Sequence, residues 1–356
     1  MKNIALKIQR NVPEFIRKDE KRMRLFTRLT FPFVKRDEAF FGELKSYAEI
    51  VEARVPDGKF SGIMLDMLNE YYIRYVIPDE YVRWGFEKKD SGERGTYWTG
   101  QEVVRQLSSS KNNIMPKDKY GRFLLFQDYV KRDVICVKHD DDPAAADAFL
   151  EKHGKFVAKP LVGTKGHGIM VVDQNNMDEF KERLASSRGG YILEEMILQG
   201  EELARFHPKS VNTIRFASMM DKEHHRLNAF ALLRTGAGES FVDNVGAGGV
   251  AALIDTNTGI IISDGICGDK HYQAHPDTGV VFKGSVIPAW DELLKLADDV
   301  HGRYTKQKVM GFDFAWTIRG WDIVEINPAP SFSTFQAITG KGIRAKVKEA
   351  GIDVDE

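Results

Sequence analysis

The sequence predicts an α+β protein with a mainly helical N-terminal region. From about residue 39 to residue 83, apolar side chains recur near helical spacing, whereas from Val134 the chain changes to short β-type runs separated by turns. Several runs are joined by hairpin-like turns, which indicates largely antiparallel sheets. We expect three regions, 1–110, 111–198 and 199–356, in a chain long enough to bury large cores.

The N-terminal region is predicted to be a series of helices. Pro13 suits the first turn of a helix whose ragged apolar face includes Phe15 and Phe26. Pro56-Asp57-Gly58 forms a turn between two later helical stretches, and Ser108-Ser109-Ser110 ends the next helix.

The rest of the chain alternates β-type runs with turns and contains predicted helices at Met177–Ser186 and Trp290–His301. The runs include Val134–Val137, Phe156–Ala158, Gly168–Val172, Tyr191–Leu193, Thr213–Ala217, Leu227–Leu233, Gly249–Ile254 and Gly259–Ser263.

The composition excludes several classes of protein. Lysine and arginine total 51 and aspartate and glutamate total 52, so the chain lacks the basic excess of a general nucleic-acid binder. Cys136 and Cys267 are too few for a disulfide scaffold or a cysteine-rich zinc module, which predicts a reduced, cytoplasmic protein. No apolar run is long enough for a transmembrane helix, and the N-terminus lacks a signal-peptide core.

The near-neutral total conceals a basic segment. Residues 1–36, the basic arm, contain eleven lysines and arginines against Glu14, Asp19 and Glu20, a net charge of +8. A basic helix with an apolar face can lie on an anionic membrane surface or dock on a partner. The alternative is a solvated basic face on a helix that packs against its own protein.

A lysine at a predicted strand end precedes a glycine-rich loop. Lys159 ends the run that begins at Phe156. The loop contains Gly163, Thr164, Lys165, Gly166, His167 and Gly168. Glycine lets backbone N–H groups approach anionic oxygens and lysine adds a point charge, so phosphate binding is one interpretation. A glycine-rich hairpin with a surface lysine is the other.

A second apolar run ends in acidic residues. Glu194 and Glu195 precede Met196 and Ile197, and Glu202 follows seven residues after Glu195. Such a strand can line an adenine site while the later carboxylate accepts hydrogen bonds from ribose hydroxyls. A strand followed by an acidic turn is the alternative.

Carboxylates also interrupt the apolar runs near the C-terminus. Asp313 and Glu325 are predicted on adjacent strands, and the alternation of side chains places Glu325 and Asn327 on one face. Two carboxylates and an amide oxygen are hard ligands suited to Mg²⁺, with phosphate oxygens completing its octahedron. Acidic residues in an apolar strand are costly unless they are paired or bind metal.

Arginines within strands also need partners. Arg215 and Arg234 lie in β-type runs, and the loop from Asn244 to Gly249 follows them. An anionic ligand could pair with either arginine, and a structural salt bridge is the alternative.

The histidine spacing near His275 favours no metal site. Cys267, His271 and His275 are four residues apart, but Pro276 disfavours a continuous helix, so the three share no common face. A structural or substrate-facing role for His275 is preferred.

Taken together and in chain order, these segments resemble the ATP-grasp superfamily, and most closely its sugar-transfer-associated branch. The resemblance covers most of the chain but not the residues before about Tyr71. The motifs that carry it are Trp84–Lys89 with Glu93 and Arg94, Lys117–Tyr120 with Phe126 and Arg132, Lys159 with Pro160, Asn212–Arg215, Asp243 and Asn244 with Gly248 and Gly249, His275–Gly279, Pro288 with Trp290, and Glu325–Pro328.

The resemblance implies the ATP-grasp fold, in which two α+β subdomains clasp ATP. Lys119 and Lys159 match the two lysines that contact phosphate. Residues 163–168 match the flexible lid over the β- and γ-phosphates. Residues 194–197 match the hinge that binds adenine. Glu202 matches the ribose carboxylate.

Other positions carry the metal and substrate roles. If the register shifts by one residue, Glu201 replaces Glu202 as the ribose carboxylate. Asp313, Glu325 and Asn327 match the ligands of one or two Mg²⁺ ions. Arg215 matches a residue acting on the γ-phosphate or the intermediate, and Arg234 matches less well. Weaker substrate contacts are Asn244, Gly248, Gly249, His275 and Ser331.

The function that the resemblance implies is an ATP-dependent carboxylate–amine ligase working through an acylphosphate. Its substrates would be small molecules derived from sugars or amino acids, in polysaccharide or related biosynthesis. A kinase of the same fold and a nucleotide-responsive binding module are the alternatives, and the sequence predicts no oligomeric state.

Overall fold

The computed structural model describes residues 4–107, 115–116, 118–138, 144–162, 168–187, 189–221, 223, 225–240, 243, 248–268, 270–304 and 306–352. Contacts divide the chain into two compact units. The first, here the helical unit, comprises residues 1–108 and 331–356, and the second, the sheet unit, comprises residues 109–330. The expected boundaries at 110 and 198 stay predictions.

The helical unit begins with eight α-helices, as the N-terminal periodicity predicted. They are α1 Ile4–Arg10, α2 Glu14–Arg17, α3 Glu20–Val34, α4 Glu38–Arg54, α5 Phe60–Arg74, α6 Pro78–Arg83, α7 Ser91–Arg94 and α8 Gly100–Leu107, with a 3₁₀ turn at Phe86–Lys88. Asp19 and Asp37 are the N-caps of α3 and α4. Each side chain accepts a hydrogen bond from a backbone N–H group in the first turn of its helix, which has no partner within the helix. Pro78 occupies the first turn of α6, where its missing N–H costs no helical hydrogen bond.

The sheet unit contains a four-stranded antiparallel sheet of strand order β1-β4-β2-β3. Its strands are β1 Val134–Val137, β2 Phe156–Pro160, β3 Met170–Val172 and β4 Tyr191–Glu195. The helices around this part of the chain are α9 Lys119–Phe126, α10 Ala144–His153, α11 Met177–Ser186 and α12 Glu201–Ala204, with a 3₁₀ turn at Gln127–Tyr129. Phe149, Phe156 and Phe180 pack edge to face in the core of this sheet.

A second, seven-stranded sheet has the order β11-β10-β5-β6-β7-β8-β9 and is also antiparallel throughout. Its strands are β5 Thr213–Met220, β6 Arg226–Thr235, β7 Val250–Ile254, β8 Gly265–Cys267, β9 Lys270–Tyr272, β10 Val309–Thr317 and β11 Gly320–Asn327. The helix α13, Trp290–Gly302, contributes Trp290 and Leu293 to its core beside Phe216 and Phe312. The predicted antiparallel sheets are therefore confirmed.

One predicted run differs from the structure. Residues 259–263 form isolated bridges, Ile254 with Ile261 and Ile260 with Val286, rather than a strand. Gly259 explains the break, because its φ of +71° is in the left-handed region and a Cβ there would lie 2.5 Å from the Trp290 ring.

The C-terminal segment packs within the helical unit through two helices, α14 Ser333–Thr339 and α15 Arg344–Glu349. The Gln336 side chain accepts from the Trp98 backbone N–H at 2.9 Å and donates to the Trp98 carbonyl at 2.9 Å. A Cβ at Gly342 would lie 2.1 Å from the Thr96 carbonyl oxygen, so only glycine permits this approach. Within the described residues, no helix is both long and apolar enough to cross a membrane.

Candidate active site

The hairpin of β10 and β11 brings the predicted metal ligands together. Asp313 is directly opposite Glu325, and Asn327 is opposite Gly311. Directly opposed residues share a face of the sheet, and Glu325 and Asn327 are two residues apart on one strand. The three side chains therefore lie on one face, which the spacing had predicted for Glu325 and Asn327.

Two arginines from the neighbouring strands contact Asp313. Arg215 is opposite Asp313 on β5, and its Nε and Nη2 both donate to the carboxylate, the latter at 2.9 Å. Arg234 on β6 adds a contact of 3.3 Å from Nη1. Burial alone would raise the pKa of Asp313, but Arg215 and Arg234 outweigh it and hold that pKa below its usual value.

A second carboxylate, Asp243, completes this charged network. Arg234 donates from Nη2 to Asp243 at 3.0 Å, and the Thr213 hydroxyl contacts the same carboxylate. Burial is the main cause that raises the pKa of Asp243, and the neighbouring charge of Asp313 acts in the same direction. The sequence motif included Asp243 but gave it no role.

Lys159, at the end of β2, is held by a buried carboxylate. Its Nζ lies 2.9 Å from Glu194 on β4, and Arg132 approaches the same oxygen to 2.8 Å. Burial opposes ionisation of Glu194, but Arg132 and Lys159 lower its pKa. The Glu194 side chain, expected near adenine, is thus committed to two cations.

Lys119 begins α9 and joins the same cluster. Its Nζ donates to the Pro160 carbonyl at 3.2 Å. Burial is the main cause that lowers the pKa of Lys119; Glu325 and Glu194 oppose the shift, and Lys159 reinforces it. The two predicted phosphate lysines therefore share one electrostatic environment with the carboxylates of the hairpin.

The predicted adenine and ribose positions lie near the end of β4. Glu195 accepts from the Asp133 N–H at 3.0 Å and from Arg319 at 3.1 Å. A shallow hollow beside it is lined by Glu195, Ile197, Leu198, Thr317, Ile318, Arg319 and Asp322. Glu202 accepts at 2.8 Å from the indole N–H of Trp316 on β10.

The remaining predicted residues either lie outside the described part of the chain or have other surroundings. Gly163, Thr164, Lys165, Gly166 and Asn244 lie outside the described residues, whereas Gly168 and Gly248 have positive φ and turn the chain before β3 and β7. Gly249 directly precedes β7. Ser331 belongs to the helical unit, where its hydroxyl accepts from the Ser333 N–H at 3.3 Å. For Met196 no specific contact is found.

His275 is buried rather than open to a substrate. Its Nε2 lies 2.9 Å from the Gly236 carbonyl oxygen and 3.1 Å from the Thr235 hydroxyl, and its ring packs near His207. Burial lowers the pKa of His275. The structure gives His275 a place in this buried network instead of the expected substrate contact.

The donor set on the hairpin fits a magnesium ion shared with phosphate. Among the described residues, no three His, Cys, Asp or Glu side chains converge as an all-protein cation site. Asp313, Glu325 and Asn327 offer three oxygens, which leaves octahedral positions for phosphate and water. The Nδ2 of Asn327 is buried without a hydrogen-bond partner, and rotating this amide would present its oxygen at the same place.

Comparisons with known proteins agree with this architecture. A family model described as sugar-transfer-associated ATP-grasp matches residues 127–351, which is more than half of the chain. No curated protein matches the sequence. Similar solved structures include the ATP-grasp ligase PsnB with a minimal precursor (14% identity, 68% of this chain and 60% of that chain, TM-score 0.41). They also include the D-alanine–D-alanine ligases of Coxiella burnetii (10% identity, 70% and 59%, TM-score 0.40) and Bacillus anthracis (14%, 73% and 73%, 0.39).

This chain thus spans 60% of the length of the PsnB chain. The family match covers both sheets, all the described cluster residues and the C-terminal helices, with the exception of Lys119, which precedes the matched segment. It confirms the fold and the family that the sequence motifs predicted. The chain belongs to the sugar-transfer-associated ATP-grasp family.

Proposed function

We propose that this protein is an ATP- and magnesium-dependent ligase that joins a carboxylate to an amine through an acylphosphate. One arrangement carries the proposal: Lys119 donates to the Pro160 carbonyl next to Lys159, and Glu325, which favours the charged form of Lys119, is opposite Asp313 on the hairpin. Cations for phosphate and oxygen ligands for magnesium are the two requirements of phosphoryl transfer.

Each residue has a role in this proposal. Lys119 and Lys159 bind phosphate oxygens, and residues 163–168 cover them. Residues 195–197 bind adenine, and Glu202 accepts from the ribose. When bound, one or two magnesium ions held by the hairpin oxygens supply neutralising charge at the transferred phosphoryl group.

The arginines orient the carboxylate and stabilise negative charge. The two-pronged contact of Arg215 fixes the plane of the Asp313 carboxylate, and Arg234 ties the same group to Asp243. Arg215 can shift part of its hydrogen bonding to the γ-phosphoryl oxygens as charge develops there. Because Asp313 holds Arg215 in place beforehand, this exchange of partners is the rearrangement that the arginine makes.

The chemistry needs no nucleophile from the protein. A substrate carboxylate oxygen attacks the γ-phosphorus, and the bond to the β–γ bridging oxygen breaks to release ADP. An amine nitrogen then attacks the acyl carbon, phosphate leaves, and the nitrogen loses a proton. The carboxylate or amine comes, in this proposal, from a sugar, amino acid or glycan precursor, and the family description names an association with sugar transfer. Closure of the loop over the site would protect the acylphosphate from water.

The test measures products with a panel of sugar acids, amino acids and amines. ADP and phosphate should appear together only when both substrates are present, and hydroxylamine should trap a hydroxamate from the carboxylate alone. Lys159→Ala and Glu325→Gln should each lower turnover by about a hundredfold or more. Lys209→Ala, which removes an exposed lysine paired with Glu239, is the matched control and should leave turnover intact.

Three outcomes would overturn the proposal. If Lys159→Ala and Glu325→Gln retained turnover, the assignment of these two residues to the active site would be wrong. A stable phosphorylated product without free phosphate would make the protein a kinase. Binding of MgATP without turnover of any substrate pair would favour a nucleotide-responsive binding module.

A further inference from the structure

The outward face of α3 exposes large apolar side chains on successive turns. Leu25, Leu29 and Phe33 are 59%, 64% and 51% exposed, and Phe15 from α2 is 63% exposed. Residues four apart lie one above another on a helix, so these three leucine and phenylalanine side chains form a continuous stripe. Exposed leucines are common singly, but a stripe of this kind marks an interaction surface.

Basic side chains flank this stripe. At 100° per residue, Lys21 and Arg28 fall on the same side of α3 as Leu25 and Leu29, and Arg36 lies two residues beyond the end of this helix. We call this set the arm face: Phe15, Lys21, Arg22, Leu25, Arg28, Leu29, Phe33 and Arg36. The guanidinium of Arg36 lies 5.4 Å from the Phe33 ring centre, and that of Arg22 lies 5.9 Å from the Phe15 ring centre.

Among the described residues, three cations of the arm face have no acidic partner, because the acidic residues of the basic arm pair with other cations. Glu14 pairs with Lys18, Asp19 with Arg22, and Glu20 with Arg24. Over the part of the chain that the structure describes, Lys21, Arg28 and Arg36 form no ion pair. Cations and apolar groups therefore alternate along one exposed surface.

The opposite side of α3 holds the helix on the helical unit. Met23 and Val34 are fully buried there, and the Thr27 hydroxyl lies 3.2 Å from Asn69 on α5. Arg17 of α2 donates to the Tyr75 hydroxyl at 3.1 Å. The exposed stripe is thus not needed for this packing.

We propose that the arm face lies on an anionic membrane surface. Phe15, Leu25, Leu29 and Phe33 enter the boundary between headgroups and acyl chains, while Lys21, Arg28 and Arg36 contact lipid phosphates. A membrane suits this surface because it accepts interleaved cations and apolar groups without a matching groove. The residues are separate from the candidate active site, so this proposal and the proposed function can fail independently.

The test is co-sedimentation of the full chain with vesicles. The wild-type protein should bind phosphatidylcholine vesicles containing about one third phosphatidylglycerol, should ignore pure phosphatidylcholine, and should dissociate as salt rises. Lys21→Gln, Arg28→Gln and Arg36→Gln together should weaken binding about a hundredfold. Leu25→Ser, Leu29→Ser and Phe33→Ser together should weaken it about tenfold or more.

Matched controls separate the arm face from general surface effects. The first control variant removes three exposed apolar side chains of the sheet unit that are not part of its core: Ile262→Ser, Val281→Ser and Val286→Ser. Lys270→Gln, Lys283→Gln and Lys295→Gln remove three exposed lysines of the same unit. Both control variants should bind the anionic vesicles as the wild type does, and circular dichroism should show that every variant is folded.

Binding that is equal for neutral and anionic vesicles, or equally lost in the controls, would overturn the proposal. Absence of vesicle binding would also overturn it. If an acidic protein then bound the wild type but not the serine variant, the arm face would be assigned to that protein instead.

Discussion

His301 shows how burial alone changes the charge of a single residue. It lies within α13, where its Nε2 donates to the Gln307 carbonyl at 2.5 Å and its Nδ1 accepts from the Ser218 hydroxyl. Both partners suit a neutral ring. Burial is the largest cause of its altered pKa and lowers that pKa to about 4.

This shift predicts a loss of stability in mild acid. Because the unfolded chain has a histidine pKa near 6.5, it binds the proton first as the pH falls. The free energy of unfolding should therefore fall by up to about 1.4 kcal/mol per pH unit between about pH 6.5 and pH 4 from this residue. Urea unfolding at pH 7 and pH 5 measures the difference.

The comparison uses two variants. His301→Gln should show a smaller drop between the two pH values than the wild type, even if its stability at pH 7 is lower. His225→Gln, at an exposed histidine beside Asp221, should keep the wild-type pH dependence. Equal drops in wild type and His301→Gln would contradict the argument.

At the scale of elements, Arg132 connects the two sheets of the sheet unit. Its Nε donates to Glu194 on β4 at 2.9 Å, and its Nη1 donates to Asp322 on β11 at 3.0 Å and to the Ile323 carbonyl at 2.7 Å. Burial opposes its charge, but Glu194 and Asp322 raise the pKa of Arg132 above the usual value. Glu194 in turn holds Lys159, so the link reaches the proposed phosphate site.

Arg132→Met should destabilise the protein severely, because it leaves Glu194 and Asp322 buried without this partner. The expected loss is about 3–5 kcal/mol in the free energy of unfolding, measured with urea. Arg319→Met is the matched control: its partner Glu195 is also on β4, but this ion pair is largely exposed and should be worth about 1 kcal/mol or less. If both variants lost a similar free energy of unfolding, the buried contacts of Arg132 would contribute no more to stability than an exposed ion pair.

The local sequence pattern predicted helices, strands and the exposed or buried faces of strands. It did not predict which residues far apart in the chain contact one another. Asp313 and Glu325 were predictable because acidic residues in apolar strands stand out and the alternation of side chains fixes their face. The contacts of Arg132 with Asp322 join residues 190 apart, and those of Gln336 with Trp98 join residues 238 apart. No local period encodes such pairings, so the packing of the C-terminal helices in the helical unit had no signal in the sequence.

Electrostatic pairing also limited what the sequence could predict about the site. Arg215 was expected to meet either a ligand or a salt bridge, and the structure shows the salt bridge to Asp313 without excluding the ligand role. Lys159 was expected either at a phosphate site or as a surface lysine, and the structure pairs it with the buried Glu194. From the sequence, a charged residue within a strand can be expected to need a partner. Which residue is that partner depends on the neighbouring strands, which are distant in the chain.

For the whole molecule, the near-zero net charge reflects two different arrangements. The basic arm carries +8, and several of its exposed cations lack acidic partners among the described residues. In the sheet unit, carboxylates pair with three cations of the candidate site, Lys159, Arg215 and Arg234. The arm can therefore attract an anionic surface at a distance, whereas the site binds an anion only by exchanging partners at contact range.

Ligand binding should be visible in the stability of the whole chain. A ligand that binds only the folded state adds about 2.7 kcal/mol to the free energy of unfolding at one hundred times its Kd. MgATP should therefore raise the melting temperature in a thermal scan. Magnesium alone should raise it little, because the three protein oxygens of the hairpin leave its coordination incomplete without phosphate.

Variants assign this stabilisation to the proposed lysines. Lys119→Ala and Lys159→Ala should abolish the shift caused by MgATP at the same concentration, since each removes a cation from the phosphate site. Lys209→Ala should keep the full shift, because its exposed ammonium pairs only with Glu239 at the surface. If Lys159→Ala retained the shift, the nucleotide would be bound elsewhere, since Lys159 is the lysine whose contact with Glu194 fixes it beside the hairpin carboxylates.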